Sequence, residues 1–412
     1  MDKKRIAAMI GFVLVTILLG YAIYRVFFSP KQPPDTLPQD DQTTTGAFPT
    51  AGEGQNDTVS TPEGRDSLPT SSGIPPSTYL DLGPGDETPV APIVTQIIDQ
   101  PVSNITGDNV GNAKFYNKTD GKFYRVGKNG TVEALSDTTF YNVSNVNWSP
   151  TRDEAIIEYP DGANIYYNFD TKKQVTLPTH WESFSFEKAG NQITAKSMGF
   201  SEENRWLITA DPEGNNTTPI EPLGQNASRV IVDWSPNGAV LALSRTGEPL
   251  GSDRQEVLLV GKYGENFKSI IVEGRDLRTA WSPNGDKLLH SVYSSRSNYI
   301  PELWIVNASG GDTTGSGRKL LNVSTWADKC TFADERYVYC GVPITMEQGA
   351  GFVPALEDGI PDQIVRIDTQ TGLKQPLDMD ETHTVHDIFV SNDGQTLFFS
   401  DKNSAGLFEI AL

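Results

Sequence analysis

Val232-Asp233-Trp234-Ser235-Pro236-Asn237-Gly238 is the stretch on which the reading of this chain turns. It returns as Thr279-Ala280-Trp281-Ser282-Pro283-Asn284-Gly285 and, shortened, as Val146-Asn147-Trp148-Ser149-Pro150. Each copy joins an alternating apolar run to a turn, and a second β-rich run follows, at 155–159, 240–244 and 287–291. A unit repeated in this way cannot bury its own faces and must stack on copies of itself. The repeat therefore speaks to architecture before it speaks to chemistry.

Aligning the rest of the chain on the Trp of the phrase brings out weaker copies. Phe186 leads Glu-Lys-Ala-Gly-Asn, Phe332 leads Ala-Asp-Glu-Arg, Val390 leads Ser-Asn-Asp-Gly, and Ile105 leads Thr-Gly-Asp-Asn. The seven positions 105, 148, 186, 234, 281, 332 and 390 are spaced by 43, 38, 48, 47, 51 and 58 residues. A period in the forties is the length of a four-stranded propeller blade. Further strands are legible within units, such as 165–170 with 173–177, 302–307 with 319–321, and 363–368. Helical periodicity is nearly absent.

Phrase, apolar strand, apolar strand ending in Asp or Asn, Gly turn, polar strand: this order resembles the TolB-like or WD-repeat-like β-propellers of bacterial envelopes. In those proteins the phrase usually reads aromatic-Ser-Pro-Asp-Gly-Lys, whereas Asn237 and Asn284 occupy the acidic position here. The resemblance covers roughly residues 95–412 and implies an all-β fold. It says little about function, because propellers host unrelated activities. The last unit stops one strand short, and the run 92–98 would supply that outer strand and remove the open edge. Seven blades closed by this clasp are expected, with six as the alternative. Trp148, Trp234 and Trp281 are read as blade markers that pack between neighbours, with ligand stacking as the lesser reading.

Ahead of this body (91–412) lie two segments of different character. Residues 1–28 hold an uncharged apolar run, Ile6 to Tyr24, preceded by Lys3, Lys4 and Arg5. About 19 residues at 1.5 Å each span a hydrocarbon core of about 30 Å. The run lacks a small-x-small cleavage site, so it reads as an uncleaved transmembrane anchor rather than a signal peptide. The flanking charges put the N-terminus in the cytoplasm and the rest outside the cell membrane. Residues 29–90 are rich in Pro, Thr, Gly and Asp and almost free of aromatics. Such a stretch cannot offset its ordering entropy, and it reads as a disordered tether spanning about 40–45 Å.

The formal charge of −20 argues against a nucleic-acid partner, because an acidic body repels phosphate chains. Cys330 and Cys340 flank a short hairpin; if Phe332 faces Val338, the cysteines face each other and form a structural disulfide. A pair of free thiols is the alternative, and two cysteines are too few for structural zinc.

Enzyme signatures are missing. No Gly-x-Ser-x-Gly elbow, P-loop or dinucleotide fingerprint occurs, and only four His are present. His383 and His386 are surrounded by Asp378, Asp380, Glu381 and Asp387, but on an extended segment residues three apart point to opposite sides. No cofactor and no metal ion is expected. Loop length is the better clue. The second-to-third strand loops of three consecutive units are enlarged, at 245–256, 294–301 and 343–362. They open opposite the phrase turns and carry Arg245, Arg254, Arg296, Tyr299 and Phe352, with Ile344, Met346, Val353 and Leu356 nearby. Long loops gathered on one face mark a binding surface. The expectation is a tethered extracytoplasmic propeller that binds a protein or a cell-wall component there. The alternative is a propeller enzyme or small-ligand sensor with its site at the mouth of the axial channel.

Overall fold

The computed structural model describes residues 94–108, 113–127 and 130–412. The expected anchor (1–28) and tether (29–90) lie outside the described residues. Among the described residues no helix is long and apolar enough to cross a membrane. Among the described residues the first strand is Val94–Ile98.

Seven four-stranded antiparallel sheets are present among the described residues, so the count is seven blades and not six. Their innermost strands are Val102–Gly107, Asn145–Trp148, Trp181–Phe186, Val230–Val232, Arg275–Trp281, Cys330–Phe332 and Val385–Val390. Every residue aligned on the phrase falls in or just after one of these strands, including the weak copy at Ile105. The ring closes as expected. Val94–Ile98 pairs with Gly406–Ala411, setting Val94 opposite Ile410 and Thr95 opposite Glu409. The first strand described thus completes the last blade and removes the edge on which another chain would pair.

The phrase builds its turn through side chains. Ser235, fully buried, accepts from the Val240 N–H (2.9 Å) and donates to Asn237 Oδ1 (2.7 Å), while the Gly238 N–H reaches the Ser235 carbonyl (2.8 Å). Gly238 sits at φ +78°, a region open to glycine at little cost. In the seventh blade Ser391 repeats the pattern, with Asp393 Oδ1 at 2.6 Å and the Thr396 N–H at 3.0 Å. What the turn requires is an acceptor oxygen two residues after the Ser, so Asn and Asp serve alike.

Each Trp locks its blade onto the one before. Trp148 donates to the Asn104 carbonyl (2.8 Å) and meets Phe123 edge-on. Trp281 donates to the Asp233 carbonyl (3.3 Å) and packs against the apolar cluster between the fourth and fifth blades. Trp234 is buried against Leu207 and Leu223 of the third blade, and its backbone N–H donates to Ser185 Oγ at 3.0 Å. The core is therefore a series of inter-blade clusters rather than one centre. The disulfide Cys330–Cys340 forms, with its Cα atoms 4.1 Å apart, because Phe332 does pair with Val338.

Candidate functional site

The loops of the fourth, fifth and sixth blades join into one surface. They connect Val240–Ser244 to Gln255–Gly261, Lys287–Tyr293 to Pro301–Asn307, and Tyr337–Pro343 to Asp362–Asp368. Asp253 in the first accepts from the Ser295 N–H (3.2 Å) and hydroxyl (2.5 Å) in the second. The second is stitched to the third by Gly349 N–H to the Asn298 carbonyl (3.0 Å) and Gly351 N–H to the Tyr299 carbonyl (2.8 Å). The third reaches the seventh blade through a Lys402–Asp358 ion pair and Asn403 Nδ2 on the Asp358 carbonyl (2.7 Å). Backbone that loops would otherwise leave to water is thus satisfied from blade to blade.

The arginines expected here divide into two kinds. Arg254 and Arg296 both land on the buried carboxylate of Glu273, at 3.2 and 3.3 Å, where Arg318 joins them at 2.8 Å. They therefore cross-link the fourth and fifth blades, as well as facing solvent. Arg245 instead hydrogen-bonds the Ser228 carbonyl at 3.2 Å. With Arg229, Arg254 and Arg275 it lines a cleft of about 520 Å³ beside Asp253. Ser295, and then the charges of Arg275 and Arg296, hold the Asp253 carboxyl below its usual range. Arg229 and Arg275 were missed in the sequence. Arg275 opens an innermost strand and Arg229 immediately precedes another, beside the insertions.

Tyr299 and Phe352 come together, as parts of an aromatic cluster that also takes in Tyr293. Ring centroids lie 4.7 Å apart for Tyr299–Phe352, 4.8 Å for Tyr293–Phe352 and 6.4 Å for Tyr293–Tyr299. Tyr299 is held at φ +59°, directly after Asn298 at +53°. A bulky residue in the left-handed region costs energy that surrounding contacts must offset, and such strain concentrates at binding sites. A Cβ at position 351 would meet the Tyr293 ring at 2.4 Å, so glycine is needed for the loop to lie across it. Phe352 keeps 53% of its surface exposed, with Ile344, Val353 and Leu356 also exposed around it. Met346 is half-buried, and Glu357 is buried, its carboxylate accepting from the Glu347 N–H at 3.1 Å.

Toward the axis, a smaller cavity of about 200 Å³ lies between the fifth, sixth and seventh blades. Arg278 reaches into it, paired with Asp328 (2.8 Å) and Asp276 (3.1 Å) and lying 5.5 Å over Trp326. His383 and His386 do point to opposite sides. His383 is buried 2.9 Å from Asp401, while His386 opens on the cavity beside Asp387 at 3.0 Å. Among the described residues no three His, Cys, Asp or Glu side chains converge as a metal-binding set. At the axial end of the fourth blade, desolvation pushes Asp233 up to about 6, against the opposing hydrogen bond from Thr279.

No protein-family model matches this chain, and no curated protein matches it. Solved structures do. The β-propeller domain of Cps50 (Swd1) from Myceliophteria thermophila is 12% identical, with a TM-score of 0.53 over 77% of this chain and 98% of that one. An oligogalacturonate lyase in complex with manganese is also 12% identical, with a TM-score of 0.51 over 77% and 93%. Hydrazine synthase from Kuenenia stuttgartiensis is 13% identical, with a TM-score of 0.50 over 76% and 96%. Enzymes and a domain with no enzyme name share the architecture, so the likeness extends to the fold alone.

Proposed function

We propose that this chain is a membrane-tethered, extracytoplasmic propeller of the TolB-like kind and an interaction module rather than an enzyme. Its partner, a protein or a cell-wall component, docks on the face built by the loops of blades four to six. One observation carries the reading: the three longest second-to-third loops among the described residues are neighbours, and they carry Tyr299 and Phe352 on a surface cross-stitched from blade to blade. An exposed Phe352 beside a half-buried Tyr299, on braced and partly strained loops, supplies contact area at low ordering cost.

Crosslinking the full chain in its native membranes tests the proposal against Y299N/F352A. Asn tolerates the left-handed conformation of position 299, so the loop keeps its path. The expected outcome is partner capture by the wild type and at least about a tenfold loss in the variant, as for a hot-spot pair, with melting unchanged. Equal capture by both proteins sinks the binding face.

A further inference from the structure

We infer that the arginine-lined cleft of the fourth and fifth blades binds a compact oxyanion of the phosphate type. The inference deepens the reading of this face as a binding surface and names the chemistry of one ligand group. The cleft gathers Arg229, Arg245, Arg254 and Arg275, and the only acid lining it is Asp253. Four guanidiniums drawn together repel one another unless anions offset them. Two carboxylates are at hand, and both are shared. Glu273 divides its charge among Arg254, Arg296 and Arg318. Asp253 stands 3.8 Å from Arg275 and also accepts from Ser295. Among the described residues no carboxylate pairs with Arg229 or Arg245, and Arg245 Nε is buried without a hydrogen-bond partner. Within the lining four guanidiniums face one carboxylate, an excess of positive charge that an oxyanion of the phosphate type would offset.

The environment also limits ligand size. The chain carries −20 overall, which repels a long polyanion. At physiological salt the Debye length is about 8 Å, so a small group seated among the arginines feels them rather than the distant acids. Planar guanidinium forks suit tetrahedral oxyanions. Gly247, Gly251 and Gly274 line the cleft without side chains, and a Cβ at Gly251 would meet nothing within 4 Å, so room remains for a group of this size.

Titration of the full chain with inorganic phosphate, at constant ionic strength against chloride, tests the inference by calorimetry and by melting temperature. Saturable binding and a rise in Tm are expected for the wild type. R229Q/R245Q should bind at least about tenfold more weakly, since each substitution removes a charge-assisted hydrogen bond. If that variant is found unfolded in chloride, R229Q alone, at an exposed side chain, carries the comparison. No saturable binding by the wild type, or equal binding by the variants, overturns the site. Vesicles containing phosphatidic acid, set against phosphatidylcholine, separate the source. Capture that free phosphate displaces assigns the group to a lipid headgroup, and phosphate binding without capture assigns it to a soluble ligand. Lost phosphate binding in R229Q/R245Q with partner capture intact leaves the anion site standing and separates it from the aromatic docking surface.

Discussion

The two faces of this propeller handle their polar groups in opposite ways. On the face of the phrase turns, Ser235, Asn237 and Gly238 satisfy one another within a few residues, and Asn237 also donates to the Gly285 carbonyl (3.0 Å) of the next blade. On the other face the long loops satisfy their backbone through neighbouring blades. They leave an arginine excess, a Tyr at positive φ and an exposed Phe352. One face is complete in itself, so it counts blades. The other carries surplus charge and exposed apolar surface, which the proposed partner would cover.

The largest effect expected from breaking this contrast comes from the repeat itself. W234A empties a buried inter-blade position lined by Leu207, Leu223 and Leu241, and the cost is about 3–5 kcal/mol, read by denaturant unfolding. A loss below about 1 kcal/mol would mean that the phrase Trp does not carry inter-blade packing.

An effect nearly as large lies in the blade beneath the arginine-bearing loops. His290 is fully buried between Thr279 and Trp304, and burial, helped by the Arg318 charge, pushes its pKa down to about 4. The unfolded His takes up its proton near pH 6.5. Stability is therefore whole above that pH and declines as pH falls towards 4. About 3 kcal/mol is lost over the window and nothing further below it. H290L, which has no proton to take up, should flatten this decline relative to wild type in unfolding titrations from pH 7 to 3.5. Parallel curves would show that His290 is not held neutral.

Periodicity made the scaffold legible, for a physical reason. Blade strands alternate and turns use Gly, Asn and Asp, so Ile105 and Val390 could be aligned with Trp234 despite sharing no chemistry with it. The clasp by Val94–Ile98 and the Cys330–Cys340 bridge followed from strand pairing, where register dictates which residues face. The site was legible only in outline. Loop length pointed to the proposed face and included Tyr299 and Phe352, whereas Tyr293, at the end of a strand, carries no such signal. Arg254 and Arg296 looked free because Glu273, their partner, lies in the connection between two other strands. Pairings of that kind are set by the three-dimensional approach of blades, which no local pattern encodes.

The smallest effect is the sharpest comparison of the faces, because it sets one side chain against another of greater size. S235A removes the oxygen that satisfies the Val240 N–H at 2.9 Å in a fully buried turn. A buried donor left without a partner costs about 1–3 kcal/mol. F352A removes a whole ring, yet 53% of Phe352 is already in water and its ring meets those of Tyr293 and Tyr299 at one side. With about half of the ring buried, the loss should be about 1 kcal/mol, half of what a fully buried Phe contributes. Measured side by side by denaturant unfolding, the loss of one hydroxyl oxygen on the repeat face should therefore equal or exceed the loss of a phenyl group on the loop face. If F352A proves costlier than S235A, the aromatic cluster is part of the scaffold's own stability, and the division between a self-sufficient face and a face held ready for a partner fails.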